Sequence, residues 1–294
     1  MTAVAGSRAI TAVEGTSRIP KPLRRVGIHV AVIGLMAIWL LPTIGLFVNS
    51  FRTEDAVASS GWWVPSSYSL DNYSYILSQS SIGDAFINSL FITIPATIIP
   101  ILVAAFAAYA FSWMNFPGRN WLFIFVVGLL VVPLQMTLIP ILRLFAALGL
   151  NGEFLAVWLA HTGYGLPFAI YLLRNFMGSL PREVFESAYI DGASPVTAFF
   201  RLALPMSVPA IAALAIFQFL FVWNDLLVAI TYIGAARPEN LPLTGAVSNL
   251  VSSLGDGWQL LGAAAFLSMA LPLAVFFALQ RYFVRGITGG AVKG

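Results

Sequence analysis

The feature that most constrains the fold is a series of six long apolar segments separated by short polar connections. They lie at about 26–50, 85–111, 121–142, 154–173, 206–233 and 259–283. Each has about 20 mainly apolar residues, enough for one helix to cross a hydrocarbon layer about 30 Å thick. Charged residues make up only 9% of the 294 residues, whereas a soluble domain carries roughly 25%. The sequence therefore predicts an all-α polytopic membrane protein with six transmembrane helices.

The chain ends are predicted to lie outside the membrane. The apolar part of the first segment, Val26 to Val48, exceeds the roughly 7–15 residues of a signal-peptide core, so we expect a permanent span. The predicted regions are an N-terminal tail (1–25), polar, basic and disordered, a transmembrane domain (26–283) and a C-terminal tail (284–294). Prolines inside the segments are expected to kink the helices and favour a packed bundle.

The basic residues predict the orientation. With the N-terminus in the cytoplasm, the cytoplasmic segments hold Arg8, Arg18, Lys21, Arg24, Arg25, Arg119, Arg174, Arg182, Arg201, Arg281, Arg285 and Lys293. The outer segments then hold Arg52, Arg143 and Arg237. This strong bias follows the positive-inside rule, so both termini are predicted to be cytoplasmic. Because the basic residues follow a membrane pattern, they are not evidence for a nucleic-acid partner.

The polar stretch from Pro181 to Pro209 separates the fourth and fifth apolar segments. It holds five charged residues, Arg182, Glu183, Glu186, Asp191 and Arg201. Three of them are acids, in a chain that has 12 acids in total. Pro181 is suited to begin a helix that Gly192 ends, and Ser194 can cap a second helix that begins at Pro195. We therefore expect two short helices joined by a glycine turn at the cytoplasmic face. Such a pair could contact a water-soluble partner, or it could be an amphipathic hairpin that only joins two spans.

One spacing within this stretch is specific. Glu186-Ser187-Ala188 is followed after three residues by Gly192, and after nine more by Leu202-Ala203-Leu204-Pro205. This pattern resembles the EAA signature of binding-protein-dependent ABC importer permeases, which reads Glu-Ala-Ala, three residues, Gly, nine residues, Ile-x-Leu-Pro. Ser187 replaces the first alanine and Leu202 replaces the isoleucine, both small changes in volume.

The resemblance extends beyond this motif, over about residues 26–294. The stretch from Gly165 to Phe176 and the triplet Trp223-Asn224-Asp225 resemble the sugar-permease branch of the family. The tail from Gly286 to Gly294 resembles the C-terminus of the maltose-type second permease.

The resemblance implies the type I ABC importer permease (MetI-like) fold in a bacterial-type cytoplasmic membrane. It implies a subunit that moves a sugar, either a disaccharide or an oligosaccharide, into the cell. The implied partners are a second homologous permease subunit, two ATP-binding ATPase subunits, an extracytoplasmic sugar-binding protein and the lipid bilayer. The coupling segment, 181–205, is expected to contact the ATPase subunits through Arg182, Glu186, Ser187, Ala188, Asp191, Gly192, Leu204 and Pro205.

No catalytic residue, cofactor or metal ligand is expected in this chain. A phosphate-binding loop requires Gly-Lys-Ser/Thr, whereas the two lysines, Lys21 and Lys293, follow Pro20 and Val292. ATP and Mg are therefore expected on the partner ATPase subunits. The absence of cysteine and the separation of the two histidines argue against an intramembrane enzyme.

Polar residues inside the spans are candidates for the solute path, since such residues are often functional. They are Gln135, His161, Gln218, Trp223, Asn224 and Asp225. For His161 the alternative is a hydrogen bond that packs two helices, and for Trp223 and Asp225 it is anchoring at the membrane interface. Another solute, such as glycerol phosphate, a polyamine or a peptide, is the alternative to a sugar. A proton-driven secondary transporter would usually bury more ionisable residues than these.

Overall fold

A computed structural model describes residues 21–60, 67–78, 80–234, 236–250 and 257–291. The long and short α-helices are α1 (Lys21–Ser50), α2 (Glu54–Ser60), α3 (Asp71–Ser78), α4 (Ser80–Trp113), α5 (Arg119–Gly128), α6 (Leu134–Ala147), α7 (Phe154–Met177), α8 (Arg182–Ile190), α9 (Pro195–Ala198), α10 (Leu204–Met206), α11 (Val208–Trp223), α12 (Leu227–Ala229), α13 (Leu243–Ser248) and α14 (Trp258–Ala291). Short 3-10 helices cover Leu129–Val131 and Pro238–Asn240, and π-helical turns cover Phe199–Ala203 and Ile230–Gly234. In these ranges, β-type pairing is limited to one isolated bridge between Arg52 and Tyr68. The all-α prediction is confirmed.

Four of the described helices, α1, α4, α7 and α14, are each long and apolar enough to cross a membrane. Two further candidates are bent pairs. Residues Arg119–Val131 and Leu134–Ala147 meet at 101°, and Pro195–Met206 and Val208–Trp223 meet at 70°. The number of candidate spans reaches six if each bent pair forms one span.

In the third and fifth apolar segments, where we expected spans over 121–142 and 206–233, the helix is broken and not only kinked. In the third, Val132 is extended (φ −72°, ψ 116°), because the ring of Pro133 disfavours helical backbone in the residue before it. In the fifth, α11 ends at Trp223, and a second helical stretch begins at Leu227. The Asp225 carboxylate accepts hydrogen bonds from the backbone N–H groups of Val228 and Ala229, both at 3.1 Å, and so caps this second stretch.

The first and last helices extend beyond their expected bounds. α1 begins at Lys21 instead of residue 26, and α14 runs to Ala291 instead of ending at 283. No proline interrupts the chain between Leu273 and Ala291, so the helical hydrogen-bond ladder can continue. Residues 1–20 of the expected N-terminal tail and 292–294 of the C-terminal tail lie outside the described residues.

The chain divides into two compact units, residues 1–46 and residues 47–294. The described part of the first unit is α1 up to Leu46, in which His29 Nδ1–H donates to the Arg25 carbonyl oxygen (2.6 Å). All contacts reported below lie within the second unit.

The centre of the second unit is a parallel pair formed by α4 and α7. Near the start of α7, Trp158 donates its indole N–H to the carbonyl of Phe91, in the first half of α4 (2.8 Å). Near their ends, Ser112 Oγ–H donates to the Arg174 carbonyl (3.1 Å). The C-terminal ends of α4 and α7 therefore lie side by side.

Small side chains allow α4 and α7 to pack closely. Ala104, Ala105 and Ala108 are buried on one face of α4, at the i, i+1, i+4 spacing of a helical stripe. They belong to the same buried cluster as Ala169 and Leu173 of α7. Alanine at such positions lets two helix backbones approach in a bilayer, where van der Waals contact drives association.

Candidate functional site

Gly192 turns the chain after α8. Its φ is +84°, a left-handed conformation that glycine adopts without a Cβ penalty. The Ala193 N–H donates to the Ala188 carbonyl (2.9 Å), and the Gly192 N–H donates to the Tyr189 carbonyl (3.1 Å). These two bonds form a Schellman motif, the usual hydrogen-bonded end of a helix. The glycine turn expected from the sequence is confirmed.

Ser194 begins the second short helix of this segment. Its Oγ accepts a hydrogen bond from the Thr197 N–H (3.2 Å), and Pro195 occupies the first helical turn. This confirms the expected cap. α9 then continues into the π-helical turn Phe199–Ala203, a conformation that is frequent at functional sites.

Most of the expected coupling residues face outward. Six are exposed and two are partly buried: Arg182, Glu186, Ser187, Asp191, Gly192 and Pro205 are exposed, and Ala188 and Leu204 are partly buried. Within the described part of the chain, the side chains of Arg182, Glu186 and Asp191 make no hydrogen bond or ion pair. Ser187 Oγ–H instead donates to the Glu183 carbonyl of its own helix (2.8 Å). The charged groups of this segment are thus available to another molecule.

A depression of about 510 Å³ lies between α8 and α9. It is lined by Ala188, Asp191, Gly192, Ala193, Thr197, Ala198, Arg201 and Leu202. Asp191 and Arg201 place opposite charges on its lining, and Ile190 nearby is 86% exposed. The depression and its rim thus combine apolar and charged groups, and a protein contact surface likewise has an apolar centre and a polar rim.

The buried face of α8 packs through Phe185. Phe185 is the buried residue of this helix, with no exposed surface. Its ring stacks on Trp113 at the end of α4, with centroids 3.8 Å apart and planes 18° apart. No sequence pattern indicated that Trp113 belongs to this site. Trp113 lies far earlier in the chain, and no local spacing relates it to Phe185.

Three of the candidate residues for the solute path come together between α4, α7 and α11. His161 is buried, and its Nε2 lies 3.7 Å from the Asp225 carboxylate. Among the described residues, neither ring nitrogen of His161 has a hydrogen-bond partner. Gln218 is also buried and donates its amide N–H to the Ala96 carbonyl (3.1 Å). Gln218 also lies 3.5 Å from the His161 carbonyl, so the three residues form a polar cluster in which His161 and Gln218 are buried and Asp225 is partly buried.

The side chains of the other three candidates make no hydrogen bond with this cluster in the part of the chain that the structure describes. Trp223 is buried, stacks on Phe219 and donates its indole N–H to the Ser268 carbonyl of α14 (3.2 Å). Asn224 is exposed, and its amide donates to the Leu220 carbonyl of its own helix (2.8 Å). Gln135 is exposed on α6. The structure therefore does not combine all six residues into one site.

A cavity of about 560 Å³ lies beside the bend between α5 and α6. Its lining is mostly apolar, and it includes the hydroxyl groups of Thr137 and Tyr164. The Tyr164 hydroxyl lies 2.9 Å from Thr137 Oγ1 and 3.1 Å from the Tyr232 hydroxyl. We did not identify these residues from the sequence, because a hydroxyl inside an apolar segment has no distinctive local pattern.

Comparison with known proteins identifies the family. Residues 100–289 match the family described as "Binding-protein-dependent transport system inner membrane component", which is more than half of the chain. The chain belongs to this family. The resemblance drawn from the motif in the 181–205 segment is therefore confirmed, and the chain is a permease component of a binding-protein-dependent importer.

Curated members of the permease family match nearly the whole chain. The osmoprotective compounds uptake permease protein GgtD of Synechocystis sp. is 54% identical, over 95% of both chains. The alpha-glucoside transport system permease protein AglG of Rhizobium meliloti is 40% identical, over 91% of this chain and 97% of that protein. The trehalose transport system permease protein SugB of Mycobacterium tuberculosis is 31% identical, over 87% of this chain and 93% of that protein.

A solved structure shows the same permease fold. One chain in the crystal structure of a bacterial ABC transporter involved in the import of the acidic polysaccharide alginate superposes with a TM-score of 0.77. The match covers 90% of this chain and 99% of that chain at 20% sequence identity. The expected type I ABC importer permease (MetI-like) fold is confirmed.

Proposed function

We propose that this permease moves a neutral sugar, a disaccharide or a small oligosaccharide, across the cytoplasmic membrane of a bacterial-type cell. The relatives named for alpha-glucoside and trehalose transport support a sugar. A small osmoprotective solute is the second candidate, because the relative with 54% identity is named for osmoprotective compounds. In a reconstituted transporter, the solutes that stimulate ATP hydrolysis would distinguish the two.

The 181–205 segment is the proposed contact with the ATPase subunits. The observation that carries this proposal is the exposed α8–α9 pair, in which a Schellman turn at Gly192 sets the angle between two short helices. Glu186, Asp191 and Arg182 have no partner within the described part of this chain, so they are free to pair with an ATPase. Closure of two ATPase subunits on ATP would displace this segment and shift the permease between inward-open and outward-open states.

The remaining partners follow from the same assignment. A second permease subunit completes the pathway, and an extracytoplasmic binding protein delivers the solute. The crystal structure of the alginate transporter in complex with a periplasmic protein supports such delivery. ATP and Mg bind to the ATPase subunits, and this chain, which has no phosphate-binding loop sequence, hydrolyses no ATP itself. Both termini face the cytoplasm in this arrangement.

Gly192→Val tests the coupling segment through the backbone. A Cβ at this position meets nothing within 4 Å, so the substitution acts through the positive φ and not through a clash. The left-handed conformation costs a β-branched residue about 1–2 kcal/mol or more. We expect normal membrane insertion but reduced solute uptake and reduced permease-stimulated ATP hydrolysis, both measured in vesicles with the complete transporter.

Gly149→Val is the matched control. Gly149 is also exposed, has a positive φ (+69°) and ends a helix with the same hydrogen-bond pattern, but it follows α6 and not α8. The Gly149→Val variant should lose as much folding stability as Gly192→Val, but it should keep normal solute uptake and permease-stimulated ATP hydrolysis. Equal uptake by the Gly192 and Gly149 variants would contradict the proposed contact.

Glu186→Lys tests the same contact through charge. Glu186 is exposed and unpaired in the described residues, so reversal of its charge should leave the permease folded and weaken ATPase binding. Glu183→Lys, one turn earlier on α8, makes the same charge change outside the motif. Equal ATPase affinity for the two variants would show that position 186 has no special role.

A further inference from the structure

The covalent connections of the coupling segment leave out one central helix. α8 follows α7 through residues 178–181, and α9 leads through the π-helical turn to α11. Movement of the segment can therefore act directly on α7 and α11. α4 precedes the segment by more than sixty residues, yet it forms the central pair with α7. Any direct action of the segment on α4 must pass through side-chain contacts.

Such contacts lie on one face of the C-terminal part of α4. Phe106, Tyr109 and Trp113 occupy i, i+3 and i+7 positions, which share a face of a helix. Each of these three side chains contacts the coupling segment. We refer to Tyr109, Trp113, Phe185, Tyr189 and Phe199 as the aromatic cluster.

Trp113 joins three helices. Its ring stacks on Phe185 of α8 at 3.8 Å between centroids. Its indole N–H donates to the Met177 carbonyl at the end of α7 (3.0 Å). Because Phe185 and Met177 are both completely buried, this contact is part of the packed core and not a surface association.

Tyr109 contacts both short helices of the segment, α8 and α9. Its hydroxyl donates to the Pro195 carbonyl at the start of α9 (3.0 Å) and lies 3.1 Å from the Tyr189 hydroxyl of α8. Its ring packs on Phe199 of the π-helical turn, with centroids 5.3 Å apart. Phe199 also stacks on Phe106, with centroids 4.7 Å apart and planes 28° apart. One residue of α4 therefore contacts α8, α9 and the turn that follows.

We infer that the aromatic cluster transmits displacement of the coupling segment to α4, so that α4 and α7 move together when ATP binds the partner subunits. This inference rests on the proposed function. The cluster residues are positioning residues and do not bind solute or ATP. Their contacts contribute to the coupling free energy between the nucleotide state of the ATPase subunits and the conformation of the permease. If these contacts were lost, α8 would move without displacing α4.

The test measures coupling separately from ATPase binding. The complete transporter is reconstituted in vesicles, with radiolabelled trehalose, maltose and sucrose as probes. Tyr109→Phe removes both hydroxyl contacts and keeps the ring, and Phe185→Leu keeps burial and removes the stack. For Tyr109→Phe we expect unchanged affinity for the ATPase subunits and a fall of at least about five-fold in sugar moved per ATP hydrolysed, because one of its two hydroxyl contacts alone is worth about that factor. The variant with both substitutions should move still less sugar per ATP hydrolysed.

Two control variants make the same chemical changes elsewhere. Tyr73→Phe removes a hydroxyl contact with Ser50 (2.7 Å), and Phe154→Leu removes a partly buried phenylalanine whose ring stacks on Phe91. Both should move as much sugar per ATP as the native transporter. If the Phe185→Leu variant does not assemble into a transporter, the Tyr109→Phe variant alone tests the inference, because its ring preserves the packing.

Three results would overturn the inference. The first is an unchanged ratio of sugar to ATP in Tyr109→Phe. The second is weaker ATPase binding that accounts for all of the loss, since the cluster would then only support the contact surface. The third is a native transporter that moves none of the three sugars with ATP. That result would overturn the proposed sugar function and the inference with it.

Discussion

At the scale of single residues, Gly165 illustrates how a glycine in a helix can be required by its neighbour. A Cβ at this position would lie 2.5 Å from Oε1 and 2.7 Å from Nε2 of Gln218. Gly165→Ala should therefore displace the Gln218 amide from the Ala96 carbonyl. Loss of that buried hydrogen bond should lower the free energy of unfolding by about 1–3 kcal/mol, measured by thermal unfolding in detergent.

Gly163 provides the control for this prediction. It lies two residues earlier on α7, is exposed, and has nothing within 4 Å of the added Cβ. Gly163→Ala should be neutral or stabilising by up to about 1 kcal/mol, because alanine favours the helix. If the two alanine variants unfold at the same temperature, Gln218 does not pack against Gly165 as described.

At the scale of helices, the α4–α7 contact depends on side chains no larger than alanine. Ala105 is buried on this face of α4. Ala105→Leu should separate the two backbones and lower the free energy of unfolding by about 1–3 kcal/mol. Ala146→Leu makes the same change at an exposed position of α6 and should be nearly neutral. Equal unfolding temperatures for the two variants would show that α4 and α7 tolerate a larger separation.

The features of the helices that depend on contacts within a few residues of the chain were predicted from the sequence. The bounds of α8, the glycine turn at Gly192 and the Ser194 cap all follow from contacts between near neighbours. The break before Pro133 follows the same kind of rule, but it lay inside an apolar run, where we expected only a kink. By contrast, the stack of Trp113 on Phe185 depends on the packing of α4 against the segment after α7. No rule based on spacing could reveal it.

At the scale of the whole molecule, composition and the length of the apolar segments predicted the fold class, and one motif predicted the family. The candidate solute path was less predictable. His161, Gln218 and Asp225 lie together, whereas Gln135 is exposed on α6 and the Trp223 side chain contacts α14. The sequence could not predict this, because a polar residue in an apolar helix does not reveal which neighbouring helix it faces. The cavity beside Thr137 and Tyr164 likewise depends on the 101° bend between α5 and α6.

The orientation predicted from the basic residues can be measured directly, because the chain has no cysteine that would react in the background. Ile190→Cys introduces a thiol at the exposed end of α8, and Asn151→Cys introduces one in the exposed turn before α7. α7 separates the two positions. With cytoplasmic termini, a membrane-impermeant thiol reagent applied to intact cells should label Asn151→Cys and should label Ile190→Cys only after permeabilisation. The reverse pattern would place the 181–205 segment outside the cell, where no cytoplasmic ATPase could reach it.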